Sequence, residues 1–262
     1  MPIPITIVDA FTDKAFSGNP AAVCVLEVDP DKQWMQLVAR EMNLSETAFV
    51  VPRKDAWALR WFSPQVEIDL CGHATLATAH VLWKAGRAAA DATLRFRTKS
   101  GDLLASQRDG LIWLDFPSLA SEWVDAPPML RDALGAKPVS VAKYSFDYLV
   151  ELESEAAVRD LAPDLRQLAD VPARGVVVTA AATTPGFDFV SRFFAPRVGV
   201  PEDPVTGSAH CALAPYWGER LGKSAMLAYQ ASARGGVVRV ERVGDRVMLG
   251  GNAVTVVQGA LA

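Results

Sequence analysis

LRWFSPQV (residues 59–66) and SRFFAPRV (191–198) share arginine, an aromatic, phenylalanine, a small residue, proline and valine in the same order. Arg60 and Arg192 stand 132 residues apart. The pairs Pro30-Asp31 and Pro163-Asp164 are 133 apart. Downstream, CGHATLATA (71–79) meets TGSAHCALA (206–214) at 135, so the second copy carries three extra residues between strand and helix. A solenoid repeats every 20–50 residues. An offset near half the chain points instead to two similar domains. The polar, proline-bracketed stretch PSLASEWVDAPP (117–128) suits a boundary and divides the chain into 1–118 and 119–262, with the last strand free to return to the first domain.

The element pattern repeats with the residues. Ile3, Ile5 and Ile7 alternate as a strand, SGNP (17–20) turns, and AAVCVL runs on as a second strand. Asp29 and Pro30 open a helix whose Trp34, Leu37, Val38 and Met42 recur at helical spacing. Strands LSETAFVV and WALRWFS follow, then the helix GHATLATAHVLW. In the second half a PDLRQLADV helix, RGVVVTAA and FDFVSRFFAP strands and a GSAHCALAPYW helix keep the same order.

Composition narrows the partners. Half of the 262 residues are hydrophobic and the net charge is −4, without a Lys/Arg cluster, so neither nucleic acid nor an anionic membrane surface is expected. The start MPIPITIVDAFTD lacks the basic and apolar regions of a signal peptide. No apolar run approaches the roughly 18–20 residues of a membrane span. The three cysteines, Cys24, Cys71 and Cys211, fit no metal-like spacing and suit a reducing cytoplasm.

Several side chains offer chemistry. Glu46 falls on the strand face of Leu44, Ala48 and Val50, where lost solvation would raise its pKa towards that of a proton shuttle; a solvated strand end is the plainer alternative. At a constant offset of 133 its counterpart is Thr179. Two helices begin with glycine and small residues, Gly72-His73-Ala74 and Gly207-Ser208-Ala209. Free amides and the helix dipole there favour an anion. The same dipole disfavours an imidazolium at His73, so a neutral ring is expected. Cys71 invites the reading of an activated thiol at a helix N-terminus. A two-thiol racemase would need a cysteine where Thr206 stands. His80 and His210 read as packing or surface residues, and Cys211 as a core residue. Ser208 and His210, two apart on a helix, do not make a hydrolase pair.

With these residues in view the chain resembles the PhzF (phenazine-biosynthesis F) family of the diaminopimelate epimerase-like superfamily. The segments are VDAFTDKAFSGNPAAVCVL (8–26), LSETAFV (44–50), LRWFSPQVEIDLCGHATLATA (59–79), RFFAPRVGVPEDPVTGSAHCALAPYW (192–217) and GGNAVTV (250–256). The resemblance implies an α+β fold of two pseudo-symmetric domains, each a curled sheet around a central helix, with the active site between them. It also implies isomerisation by proton transfer in a homodimer acting on a small carboxylate, with neither cofactor nor metal. Glu46 would be the general acid/base, with His73 and Asp203 as its catalytic partners. Gly72, Gly207, Ser208, Cys71 and Thr206 would line the substrate. Two alternatives remain at this point: an amino-acid epimerase or racemase using Cys71, and a non-catalytic metabolite-binding protein of the same fold.

Overall fold

The computed structural model describes residues 2–262 and resolves two compact units. One comprises the chain up to Phe116 together with Met248–Ala262; the other is Pro117–Val247.

The first unit opens with β1 (Ile3–Ala10), β2 (Asn19–Val25), α1 (Lys32–Met42), β3 (Glu46–Pro52) and β4 (Trp57–Phe62). It continues with β5 (Glu67–Ile68), α2 (Gly72–Lys84), β6 (Leu94–Thr98), β7 (Gly101–Arg108) and β8 (Leu111–Pro117). The β1–β2 turn requires Gly18: its φ is +66°, and a Cβ there would stand 2.2 Å from the Ala10 carbonyl oxygen. Asp31, not Asp29, caps α1, its Oδ1 accepting from Gln33 N (2.8 Å) and Trp34 N (3.1 Å). A carboxylate two residues earlier cannot reach those amides, and Asp29 pairs with Arg53. Met35, Val38 and Ala39 of α1 then bury against Cys24, Phe49 and Phe62.

The second unit contains β9 (Glu122–Trp123), α3 (Pro128–Leu134), β10 (Ser140–Tyr144), β11 (Asp147–Glu151), α4 (Glu155–Arg159), α5 (Leu165–Asp170) and β12 (Gly175–Ala181). After it come β13 (Phe189–Ala195), β14 (Val200–Asp203), α6 (Gly207–Leu221), β15 (Ala225–Gln230) and β16 (Gly236–Val243). β17 (Arg246–Gly251) leads back to the first unit, where β18 (Ala253–Leu261) pairs antiparallel with β1.

The duplication is visible in the strand pairing. In the first unit β1–β2 is antiparallel, β2–β3 parallel, β3–β4 antiparallel, β4–β6 parallel and β6–β7 antiparallel. In the second, β10–β11, β11–β12, β12–β13, β13–β15 and β15–β16 repeat that alternation. The matched arginines share one task. Arg60 grips Glu67 of β5 bidentately at 2.8 and 3.0 Å, and Arg192 grips Glu202 of β14 at 2.8 and 3.0 Å. Each guanidinium also lies over the phenylalanine two residues on, at 5.3 Å from Phe62 and 4.8 Å from Phe194. The three extra residues of the second copy fall inside this clamp, where a 3-10 turn, Pro196–Val198, ends at Gly199 with φ +84°. Arg60 holds the Glu67 carboxyl down at about 2 against the opposing effect of burial, with Lys99 adding to the arginine.

α2 and α6 are buried nearly all round and are the central helices of their units. α2 packs against β1, β2, β3 and β18. Ala74, Ala77 and Ala79, none of them exposed, let the sheet approach it closely. α6 carries Pro215 in its interior, which leaves the Cys211 carbonyl without its helical donor. Leu119 N supplies the missing hydrogen bond at 3.1 Å.

Candidate active site

Neither central helix is capped by its N-cap side chain. Cys71 precedes α2 and Thr206 precedes α6, and neither makes a side-chain cap bond. The Thr206 hydroxyl donates instead to Asp203 Oδ2 at 2.6 Å. The first-turn amides thus keep their partial positive charge at the helix mouth.

At the α2 mouth the fold assembles an acid, an imidazole, an amide and a thiol. Glu46 is the first residue of β3, and parallel pairing with Ala21 fixes its place beside the start of β2. His73 is the second residue of α2. Its Nε2 lies 3.0 Å from Glu46 Oε2, with side chains 4% and 15% exposed. The opposite ring nitrogen, Nδ1, faces Asn19 Nδ2 at 3.0 Å and Cys71 Sγ at 3.6 Å. An amide nitrogen only donates, so in the neutral ring Nδ1 accepts and the proton sits on Nε2, in close contact with the Glu46 carboxylate but not hydrogen-bonded to it.

The surroundings bear on two expectations from the sequence. Burial alone would push the His73 imidazole down, but the Glu46 carboxylate beside it opposes burial and holds its pKa above the ordinary value. The helix dipole therefore does not fix the ring as neutral; the carboxylate makes a second proton acceptable. Around Cys71 the surroundings favour the neutral thiol. Burial first, and the Glu46 charge second, raise its thiol to about 11, so the sulfur is a protonated, 7% exposed neighbour of the ring. Glu46, Cys71 and His73 also present one donor atom each within 4.8 Å of one another, a set able to hold a divalent ion once the thiol and ring give up their mutual contacts.

Asn19 is the member of this cluster that sequence reasoning missed. It lies in the quoted SGNP turn, which read only as a turn, and it meets His73 across 54 residues of chain. The asparagine in that turn was its one signal.

The second unit holds the other expected residues around the α6 mouth. Gln230 ties them together: its Oε1 accepts from Thr206 N at 2.8 Å and its Nε2 donates to the Asp203 carbonyl at 2.7 Å. Gly207 is buried and Ser208 half-buried. The Ser208 hydroxyl stands 3.5 Å from Arg174 Nη2, and Arg174 itself pairs with Asp147. His210 is fully buried, donates from Nδ1 to the Thr206 carbonyl at 2.8 Å and is pushed down to about 4 by burial. It is a neutral packing residue. Cys211 is equally buried, with its thiol raised to about 12.

The counterpart of Glu46 is also corrected. Thr47 pairs with Phe62 and Val176 with Phe194, so the residue matching Glu46 is Gly175, 129 positions on, and not Thr179. The offset grows along the fold: 126 from Ala21 to Asp147, 129 here, 132 between the arginines and 135 between the helix starts. From the second strand to the central helix, each link between matched strands and then to the helix lengthens by three residues in the second unit, which no constant offset can follow.

Comparisons with known proteins show the family and the fold. The family model described as phenazine biosynthesis-like protein (PhzC-PhzF) matches residues 8–259. A protein of Halalkalibacterium halodurans named as an uncharacterized isomerase is 53% identical over 100% of this chain and 99% of its own length. The crystal structure of a PhzF-family phenazine biosynthesis protein from Enterococcus faecalis superposes with a TM-score of 0.95 at 44% identity, covering 100% of both chains. A probable proline racemase from Agrobacterium radiobacter, with a TM-score of 0.68 and 12% identity over 99% of this chain and 93% of its own, shares the epimerase-like fold alone. The fold is accordingly α+β and diaminopimelate epimerase-like, and the chain belongs to the PhzF family.

Proposed function

We propose that this chain is an isomerase that moves a proton on a small carboxylic acid, with Glu46 as the general acid/base and no cofactor. The buried Glu46–His73 pair at the uncapped start of α2 carries the reading. His73 Nε2 stands 3.0 Å from Oε2 of the carboxylate without completing a hydrogen bond to it, which leaves the carboxylate able to take a substrate proton. Glu46 breaks a C–H bond next to an unsaturated or carboxylate-bearing centre, and the electron pair stays on the substrate as an enolate-like system. Glu46 exchanges its proton with solvent and returns one to another carbon, so nothing is oxidised or reduced. The amides opening α2 favour the charge that develops. A raised His73 pKa lets the ring share the proton while Glu46 is loaded. Asp203, Thr206, Gly207 and Ser208 are proposed to bind the substrate, with Asp203 as a further proton relay.

Cytoplasmic location and homodimer formation complete the proposal. Cys24, Cys71 and Cys211 are free and buried, which fits a reducing compartment. Among the described residues no helix is long and apolar enough to cross a membrane. The decisive test is deuterium uptake from heavy water into a panel of small unsaturated and cyclic carboxylic acids. Uptake catalysed by the parent and lost in Glu46→Gln is expected. Equal exchange by both proteins would remove Glu46 from the role.

A further inference from the structure

The second unit carries a cavity of about 480 Å³ beside the start of its β11–β12 ladder, the counterpart of the β2–β3 ladder on which Glu46 stands. The correspondence follows from the strand ladders. Ala21 pairs with Glu46 at the start of the parallel β2–β3 ladder, and Asp147 pairs with Gly175 at the start of β11–β12. Asn19 therefore corresponds to Ser145, and the residue before Glu46 corresponds to Arg174. Ser145, Asp147 and Arg174 all line the cavity. No base can stand at position 175, because a Cβ there would lie 2.4 Å from the Phe193 ring.

The chemistry of the lining is inverted relative to the first unit. Lys143, Arg174 and Arg197 face the cavity, with Asp147 as the one acid. Asp147 is spent on Arg174, whose Nε bonds its Oδ1 at 2.9 Å. Two cations are left over, on a chain whose net charge is −4. The Arg197 guanidinium is tethered by the carbonyls of Val171 (3.3 Å) and Ala169 (3.4 Å), which reduces the entropy lost when it binds a ligand. Beside these charges stand apolar groups with nothing over them: Phe146, 77% exposed, and Val198, 51% exposed. Phe146 is presented at the β10–β11 turn by Ser145, a non-glycine residue at φ +48°.

We propose that this cavity is a binding site for a small planar organic anion, with Lys143 and Arg197 on the anionic group and Phe146 against the flat apolar body. Arg174 links the site to the α6 mouth through its 3.5 Å approach to Ser208 Oγ. The site does not depend on the isomerase reading, because none of its residues belongs to the Glu46–His73 pair.

Isothermal titration of the full chain with benzoate, and separately with inorganic phosphate, tests it. Benzoate is expected to bind, more weakly as salt rises. Lys143→Ala combined with Arg197→Ala should raise its Kd by about tenfold or more, the usual scale for losing charged hydrogen bonds. Phe146→Ala should weaken benzoate severalfold and leave phosphate unchanged. Glu46→Gln should bind like the parent. Lys143→Met alone, which leaves the Arg197 tethers in place, should show the same direction if the double variant is unstable. The proposal fails if the parent takes up neither probe, if charge-removed variants with the parent's Tm bind as tightly as the parent, or if Glu46→Gln loses the binding equally.

Discussion

The two helix mouths are copies of one architectural device that have parted in charge. At the α2 mouth the neighbouring strands deliver an acid, Glu46, which binds an imidazole. At the α6 mouth they deliver Arg174, which binds Asp147 and reaches Ser208. Both helices begin with glycine, both lack a side-chain cap, and both lie beside a parallel strand pair. The fold therefore supplies an electropositive helix end twice. What differs is the residue at the first ladder position of the third strand, Glu46 against Gly175. A duplicated scaffold can in this way keep proton chemistry in one copy and charge recognition in the other.

Replacing the acid breaks the comparison most severely. Glu46→Gln keeps shape and removes the proton acceptor, and a loss of about 10²–10⁴-fold in deuterium exchange is expected. Stopped exchange read by mass spectrometry would show it. His73→Gln should cost less, on the order of tenfold to a hundredfold, because the ring assists Glu46 and does not itself take the substrate proton. Since the Glu46 carboxylate raises the His73 pKa above its ordinary value, the parent's rate should keep its imidazole-dependent limb at a pH above that value, and the variant should lose the limb. A pH–rate profile unchanged by His73→Gln would contradict the pairing. Asn19→Leu should lower the rate about tenfold through the tautomer of His73 while leaving Tm within a few degrees.

The arginine clamps offer a structural version of the same contrast. Arg60→Met leaves Glu67, with its side chain 5% exposed, short of its main partner. A loss of about 1–3 kcal/mol is expected, moderated by Lys32 and Lys99 and by the half-exposed arginine. Glu67 has a depressed pKa, so its contribution is complete above the unfolded value of 4.5 and fades as the pH falls towards about 2. Melting the parent and Arg60→Met between these limits should bring their stabilities together. Cys71→Ser stands at the small end. A thiol held at about 11 is protonated at neutral pH, so activity should stay within a few fold. A collapse of activity there would favour a cysteine-based epimerase.

Much of this was legible in the amino-acid pattern. Glu46 and the two glycine-led helices stood out because a local pattern of polarity and spacing carries them. The arginine clamp was visible as a repeated motif, though its acidic partners were not, since Glu67 and Glu202 lie on short return strands with no periodicity of their own. Asn19 and Arg174 stayed hidden because their roles come from contacts made across distant segments. The counterpart of Glu46 was misplaced for a related reason: Asp31 and Asp164 cap helices in similar ways, but the helical segments they begin are not in register with the strands around them.

The return of β18 to β1 fixes an order of events during synthesis. β1 is flanked by β2 and β18, so one of its two neighbours is made only after the whole of the second unit. Pro117–Val247 is one continuous segment and has all its strands before the final turn of the chain is made. The first unit to be translated is thus the last to be completed, and until then β1 exposes an edge that another chain could occupy.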